Sequence, residues 1–136
     1  MKDVKQIKVA DIMSRSVVTV KIDASLDQII KTLDEFKVHA VIVIGPEGEF
    51  MGVISHSDIV RALDKYGAKI FEMDAEDIMC PKPYTIDGEA TLREAAAKMI
   101  NNRVHRLLVL SKRTGKIVPV GVLSVTDIIR AVAVPS

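Results

Sequence analysis

From Ser25 to Leu33 an apolar stripe falls at Leu26, Ile29, Ile30 and Leu33, and from Thr91 to Ile100 one falls at Leu92, Ala95, Ala96, Met99 and Ile100. That spacing is the stripe of an amphipathic helix. Each stripe opens on a start signal, Ser25-Leu-Asp-Gln28 in one case and Thr91-Leu-Arg-Glu94 in the other. The hydroxyl accepts from a first-turn amide while Gln or Glu reaches back to the cap, so a helix is predicted to begin at each. Next comes a continuous apolar run, Val41 to Ile44 or Leu107 to Leu110, whose length and branching read as a buried strand. Gly45-Pro46-Glu47-Gly48 turns the chain into a further strand, Phe50 to Ile54, and Thr114-Gly115 marks the corresponding turn later on. A last helix follows Asp58 or Asp127, with Ile59, Val60 and Leu63, or Ile128, Ile129 and Val132, expected on its inner side, and Gly67 stopping the first. With short β segments at Val17 to Val20 and Tyr84 to Ile86, each half reads β-α-β-β-α, an α+β chain.

The halves are copies. Asp11-Ile12-Met13 recurs as Asp77-Ile78-Met79, and Thr19, Ala24, Leu26, Val38 and His39 recur as Thr85, Ala90, Leu92, Val104 and His105, all at an offset of 77 minus 11, or 66. After the next strand the offset becomes 69, carrying GVISHSDIVRAL at Gly52 onto GVLSVTDIIRAV at Gly121, so the second copy holds three extra residues, expected in the turn SKRTGK. The division is 1–63 for the first copy, 64–75 for a connector and 76–136 for the second. A two-copy repeat of this kind closes one apolar face against the other.

Bulk composition removes several classes of function. Nineteen Lys and Arg against 18 Asp and Glu leave a net charge of +1, with no overall bias toward nucleic acid or an anionic membrane. Cys80 is the single cysteine, which excludes an intrachain disulfide and a cysteine-built zinc site and favours a cytoplasmic setting. The opening MKDVKQIKVADIM is charged and reads as no export signal, and no apolar run is long enough to span a bilayer. Aromatic content of 4% without Trp argues against stacking platforms for single strands.

The doubled Asp-Ile-Met, the doubled strand with His at its edge (VHAVIVI and VHRLLVL) and the doubled G-h-h-S-x-[ST]-D resemble the tandem cystathionine beta-synthase (CBS) domain pair, or Bateman module. The resemblance covers nearly the whole chain. It implies two repeats packed as a pseudo-twofold pair, with two clefts that bind adenosine-containing molecules. One site would combine Ser55, Ser57 and Asp58 with Met79, Tyr84, His105 and Arg106, and the other Ser124, Thr126 and Asp127 with Met13, Val18 and His39. It further implies a stand-alone regulatory module rather than an enzyme: no required cofactor, AMP, ADP or ATP as regulatory ligand, a homodimer built on the helices that end each copy, and a regulated protein partner.

The residue types suit that chemistry. An ionised carboxylate accepts both hydroxyl protons of a ribose cis-diol, through charge-assisted bonds of roughly 1.5–3 kcal/mol each. A phosphate takes donors from the amides at a helix start and, most strongly, from the fork of Arg106. The first copy has Ala40 where the second has Arg106, so the two sites are expected to differ. Phosphorylated ligands suit the Asp58 site; the Asp127 site is expected to be weaker, empty, or fitted to S-adenosylmethionine or methylthioadenosine.

Plainer readings stand beside these. Ser, Ser/Thr and Asp ahead of a helix are ordinary caps, although one cap satisfies the first-turn amide and leaves a hydroxyl to spare. His39 and His105 also fit strand-edge residues bonded to backbone, Arg106 a solvated side chain, and Met13 and Met79 core filler. Ser55, His56 and Asp58 are too close in sequence to form a relayed triad, and His39, His56 and His105 lack metal-ligand spacing. Two rivals follow: a structural dimerisation module with vestigial clefts, and nucleic-acid binding through Lys112, Arg113 and Lys116.

Overall fold

Both helix start signals close into reciprocal hydrogen bonds. In the computed structural model, which describes residues 6–81 and 83–133, Ser25 Oγ accepts from the Gln28 amide at 3.2 Å and the Ser25 amide donates to Gln28 Oε1 at 2.9 Å. Thr91 and Glu94 make the same pair of bonds. In chain order the helices are α1 (Val9–Ile12), α2 (Leu26–Glu35), α3 (His56–Tyr66), α4 (Ala75–Ile78), α5 (Leu92–Asn102) and α6 (Val125–Ala133). The strands are β1 (Thr19–Lys21), β2 (Ala40–Ile44), β3 (Phe50–Ser55), β4 (Thr85–Asp87), β5 (Arg106–Arg113) and β6 (Lys116–Ser124).

α2 and α5 end alike. Val38 N donates to Leu33 O and Lys37 N to Asp34 O, while Val104 and Arg103 repeat the pattern on Met99 and Ile100. This double closure needs a left-handed residue, and Lys37 (φ 52°) and Arg103 (φ 54°) supply it where glycine is the usual choice.

The chain divides into two compact units, and they are not the two sequence copies. One unit is Val18–Pro83; the other joins the residues up to Val17 with those from Tyr84 onward. In the first, β1 pairs parallel with β2 and β2 antiparallel with β3; in the second, β4, β5 and β6 repeat that order. α1 therefore docks beside the sheet of the second copy, with Val9 N donating to Ala90 O and Ala10 N to Gly88 O, both at 2.9 Å. α4 does the same on the first, through Ala75 N to Ala24 O and Glu76 N to Ile22 O. Lys8 adds an ion pair to Glu89 at 2.6 Å, whose hydrogen bond and charge hold the ammonium above the ordinary lysine value.

In the unit of β1–β3, Leu26, Ile29 and Leu33 of α2 bury against Val41, Val43 and Ile54, with Ala75 and Ile78 of α4 closing the core. In the other, Ala95 and Met99 of α5 pack with Leu107, Val109 and Leu123 and with Val9 and Met13. Full burial of each such aliphatic side chain contributes roughly 1.5–3 kcal/mol.

Three local expectations change. Ile30 and Ile100 stand at the edge of their helical stripes and are exposed, because the sheet covers only the centre of each stripe. On α3 the buried residue is Ala62, while Val60 and Leu63 are 63% and 51% exposed, and Ile129 and Val132 of α6 are exposed as well. Residues 64–75 carry the end of α3, a 3₁₀ helix at Gly67–Glu72 that buries Ile70, and the start of α4. The three extra residues of the second copy lengthen the ladder instead of the turn. Ser111, Lys112 and Arg113 pair with Val118, Ile117 and Lys116, and a two-residue turn at Thr114 (φ 49°) and Gly115 (φ 80°) matches the strand twist.

Candidate functional site

Each S-x-[ST]-D segment lies where the third strand of a sheet runs into a helix, and its first serine is the cap. Ser55 Oγ accepts from the Asp58 amide at 3.2 Å, and Ser124 Oγ from the Asp127 amide at 3.1 Å. The carboxylates reach back: Asp58 Oδ2 accepts from the Ser55 amide and hydroxyl, each at 2.8 Å, and Asp127 Oδ2 from the Ser124 amide at 2.9 Å. The helices thus start at His56 and Val125, ahead of the aspartates and not after them. With the first serine committed to the cap, the spare hydroxyls are those of Ser57 and Thr126, both exposed and, among the described residues, engaged by no hydrogen bond.

The glycine that opens each segment is fixed by packing. Cys80 and Val53 exchange backbone hydrogen bonds at 2.8 and 3.0 Å, and Ser14 and Val122 do so at 2.9 Å each way. Those bridges press the chain after α4 onto β3 and the chain after α1 onto β6. A Cβ on Gly52 would meet Met79 Sδ and Cys80 O at 2.8 Å, and one on Gly121 would meet Met13 Sδ and Ser14 O at 2.6 Å. Met79 and Met13 therefore lie beside the glycines of the segments with which the sequence grouped them, and both also belong to the cores. Met79 belongs to the second copy by sequence but packs in the unit of the first.

The remaining residues divide by unit. The unit of β1–β3 gathers Ser55, Ser57, Asp58 and Met79 together with Val18 and His39; the other gathers Ser124, Thr126, Asp127 and Met13 together with Tyr84, His105 and Arg106. Val18 and Tyr84 hold equivalent places, each accepting from a central-strand amide, Ile42 at 2.9 Å and Leu108 at 3.1 Å. The carbonyls of His39 and His105 accept from the first amide of α3 and of α6. Both side chains are exposed, as is that of Arg106, and Tyr84 is 50% exposed. In register, Arg106 lies across from Ser124, and Ala40 holds the matching place across from Ser55. Directly opposed residues share a face of the sheet, so the Arg-to-Ala difference bears on the strand end next to each cap.

Two residues with a part in this geometry carried no role in the sequence reading. His56 stands edge-on to His39, with ring centroids 5.6 Å apart, and both line an open groove of about 710 Å³ between α2 and α3 with Ile30, Leu33, Ile59 and Val60. Arg61 donates to Asp58 Oδ1 at 2.6 Å. The signal for Arg61 was present in the i, i+3 spacing of opposite charges on one helix. Nothing local announces His56, which meets His39 only through the β2–β3 pairing. Among the described residues no three His, Cys, Asp or Glu side chains converge to hold a metal ion, and no helix is long and apolar enough to cross a membrane.

Comparison with known proteins bears on this geometry. The arabinose 5-phosphate isomerase KpsF of Escherichia coli O6:H1 is 32% identical over 105 residues, which cover 77% of this chain and 32% of the isomerase, so the chain spans about a third of that relative's length. An uncharacterized conserved protein from Pyrococcus horikoshii matches at TM-score 0.75 and 26% identity, over 99% of this chain and 98% of that one. CBSX2, solved in complex with AMP, matches at TM-score 0.73 and 28% identity, over 92% and 95% of the two chains. The CBS domain family model fits twice, at residues 9–65 and 75–134, and the chain belongs to that family as a tandem pair of CBS domains.

Proposed function

We propose that the chain is a cytoplasmic regulatory module, not a catalyst, that binds adenosine-containing ligands, AMP, ADP or ATP foremost. Asp58 and Asp127 read the ribose. Ser55, Ser57 and Met79 serve the ligand beside Asp58, and Ser124, Thr126 and Met13 the ligand beside Asp127, each set within one unit. The observation that carries the reading is the spare hydroxyl: the cap consumes one serine in each copy, yet Ser57 and Thr126 stand exposed and unengaged next to a carboxylate. The AMP complex of CBSX2 supports the choice of ligand class. The output is a change in association, by homodimer or partner protein, and the exposed Val60 and Leu63 on α3 and Ile129 and Val132 on α6 support it. A ligand shifts such an equilibrium only by its differential affinity for the two states.

Those same exposed residues favour a second reading, a structural dimerisation module without a ligand. Calorimetric titration of AMP into the native protein separates the two. The expected result is saturable binding weakened about tenfold at one site by Asp58→Asn and at the other by Asp127→Asn. Binding that neither substitution changes overturns the assignment, and no binding of any adenosine compound leaves the dimerisation reading.

A further inference from the structure

Asp58 and Asp127 hold the same place in the two copies, three residues after the capping serine and three before an arginine, yet their carboxylates are engaged differently. Around Asp58, Oδ2 accepts from the Ser55 amide and hydroxyl at 2.8 Å each, and Oδ1 accepts from Arg61 at 2.6 Å. Around Asp127 the Ser124 amide donates to Oδ2 at 2.9 Å, and among the described residues nothing else reaches the side-chain oxygens. Arg130, the counterpart of Arg61, makes no ion pair with Asp127.

A carboxylate offers about four lone-pair sites, and a ribose cis-diol asks for two of them. Three donors already sit on Asp58, so one site is left; one donor sits on Asp127, so three are left. To read both hydroxyls, Asp58 must give up a partner. The Ser55 amide belongs to the cap of α3, and the Ser55 hydroxyl lies in the same tight loop. Arg61 is held least firmly, with its side chain 73% exposed against 12% for Asp58.

We propose that Arg61 is a specificity-determining residue that gates Asp58 by occupying the carboxylate oxygen a ribose hydroxyl needs, while Asp127 carries no such gate. The inference rests on the ribose-reading role assigned to the two aspartates and adds what makes them unequal. A neutral nucleoside brings no anion to which the released guanidinium can turn, so the gate weighs most against uncharged adenosine compounds at Asp58. The Asp127 site is the one that reads them.

The test compares adenosine with 2′-deoxyadenosine by calorimetric titration into the full chain. An Asp127→Asn background isolates the Asp58 site, and an Asp58→Asn background isolates the other. In the first, Arg61→Gln raises the affinity ratio of adenosine over 2′-deoxyadenosine about three- to fivefold, the range expected for loss of an exposed ion pair. In the second, Arg130→Gln leaves that ratio unchanged. A purely structural role for Arg61 would move both affinities together and leave the ratio alone. An unchanged ratio in Arg61→Gln, or an equal rise in Arg130→Gln, overturns the gate and leaves the ribose-reading role intact. Absence of binding by either nucleoside in every variant overturns both.

Discussion

A Cβ placed on Gly52 would stand 2.8 Å from the carbonyl oxygen of Cys80, because the chain leaving α4 is hydrogen-bonded face to face with β3. Gly121 stands in the same relation to Ser14, at 2.6 Å. In both places the nearest groups include backbone, which cannot swing aside as a flexible side chain can. Gly52→Ala and Gly121→Ala are each expected to lower stability by about 1–3 kcal/mol through overpacking. The check is a shift of the urea midpoint at constant slope.

Val9 lies in the first copy by sequence but is fully buried in the core of the second. Val9→Ala should therefore cost about 2 kcal/mol, from lost burial and the cavity left behind. The amide signals it perturbs should be those of Leu107, Val109 and Leu123, with the signals of Val41, Val43 and Ile54 left in place. The opposite pattern would contradict the docking of α1.

Lys37 and Arg103 adopt left-handed backbone at the ends of α2 and α5. A residue with a Cβ pays for that conformation on the order of 1 kcal/mol, and glycine does not. Lys37→Gly and Arg103→Gly are expected to raise stability by up to about 0.5 kcal/mol each, once the larger unfolded-state entropy of glycine is set against the relief. A fall in melting temperature in both variants would show that the cationic side chains contribute more at the helix ends than the backbone costs.

Ligand binding should also appear as stability. If AMP binds the folded chain alone, a concentration of 100 times its dissociation constant adds about 2.7 kcal/mol. A melting temperature that does not respond to AMP, ADP, ATP, adenosine or S-adenosylmethionine would support the dimerisation reading instead. Asp58→Asn is the better probe of binding than Asp58→Ala, because the amide oxygen can still accept from Ser55 and keep the cap closed.

The legible part of this protein was its local part. The caps at Ser25 and Thr91, the hairpin turns and the doubled S-x-[ST]-D could be read directly, because each rests on contacts three or four residues apart. The apolar stripes were legible only in outline: the pattern named Ile30 and Leu33 alike, and the width of the covering sheet decided that one is exposed and the other buried. Among the candidate site residues, the sequence supplied the carboxylates, the spare hydroxyls and the Arg106-to-Ala40 difference. It gave Arg61 and Arg130 as a matching pair and could not say that only Arg61 reaches its aspartate, since that depends on side-chain packing at each helix start.

What the sequence determined by itself is therefore the order of elements, the duplication and the chemical groups each copy brings, all set by periodicity and short-range hydrogen bonding. What only the tertiary structure decided is which sheet each Asp-Ile-Met turn joins. The repeat counts α1 with the first copy and α4 with the second, yet α1 docks beside β6 and α4 beside β3. The reason is physical: a four-residue turn carries too little apolar surface to fix its own place, and it settles where a glycine in the neighbouring strand lets two backbones come within hydrogen-bonding reach.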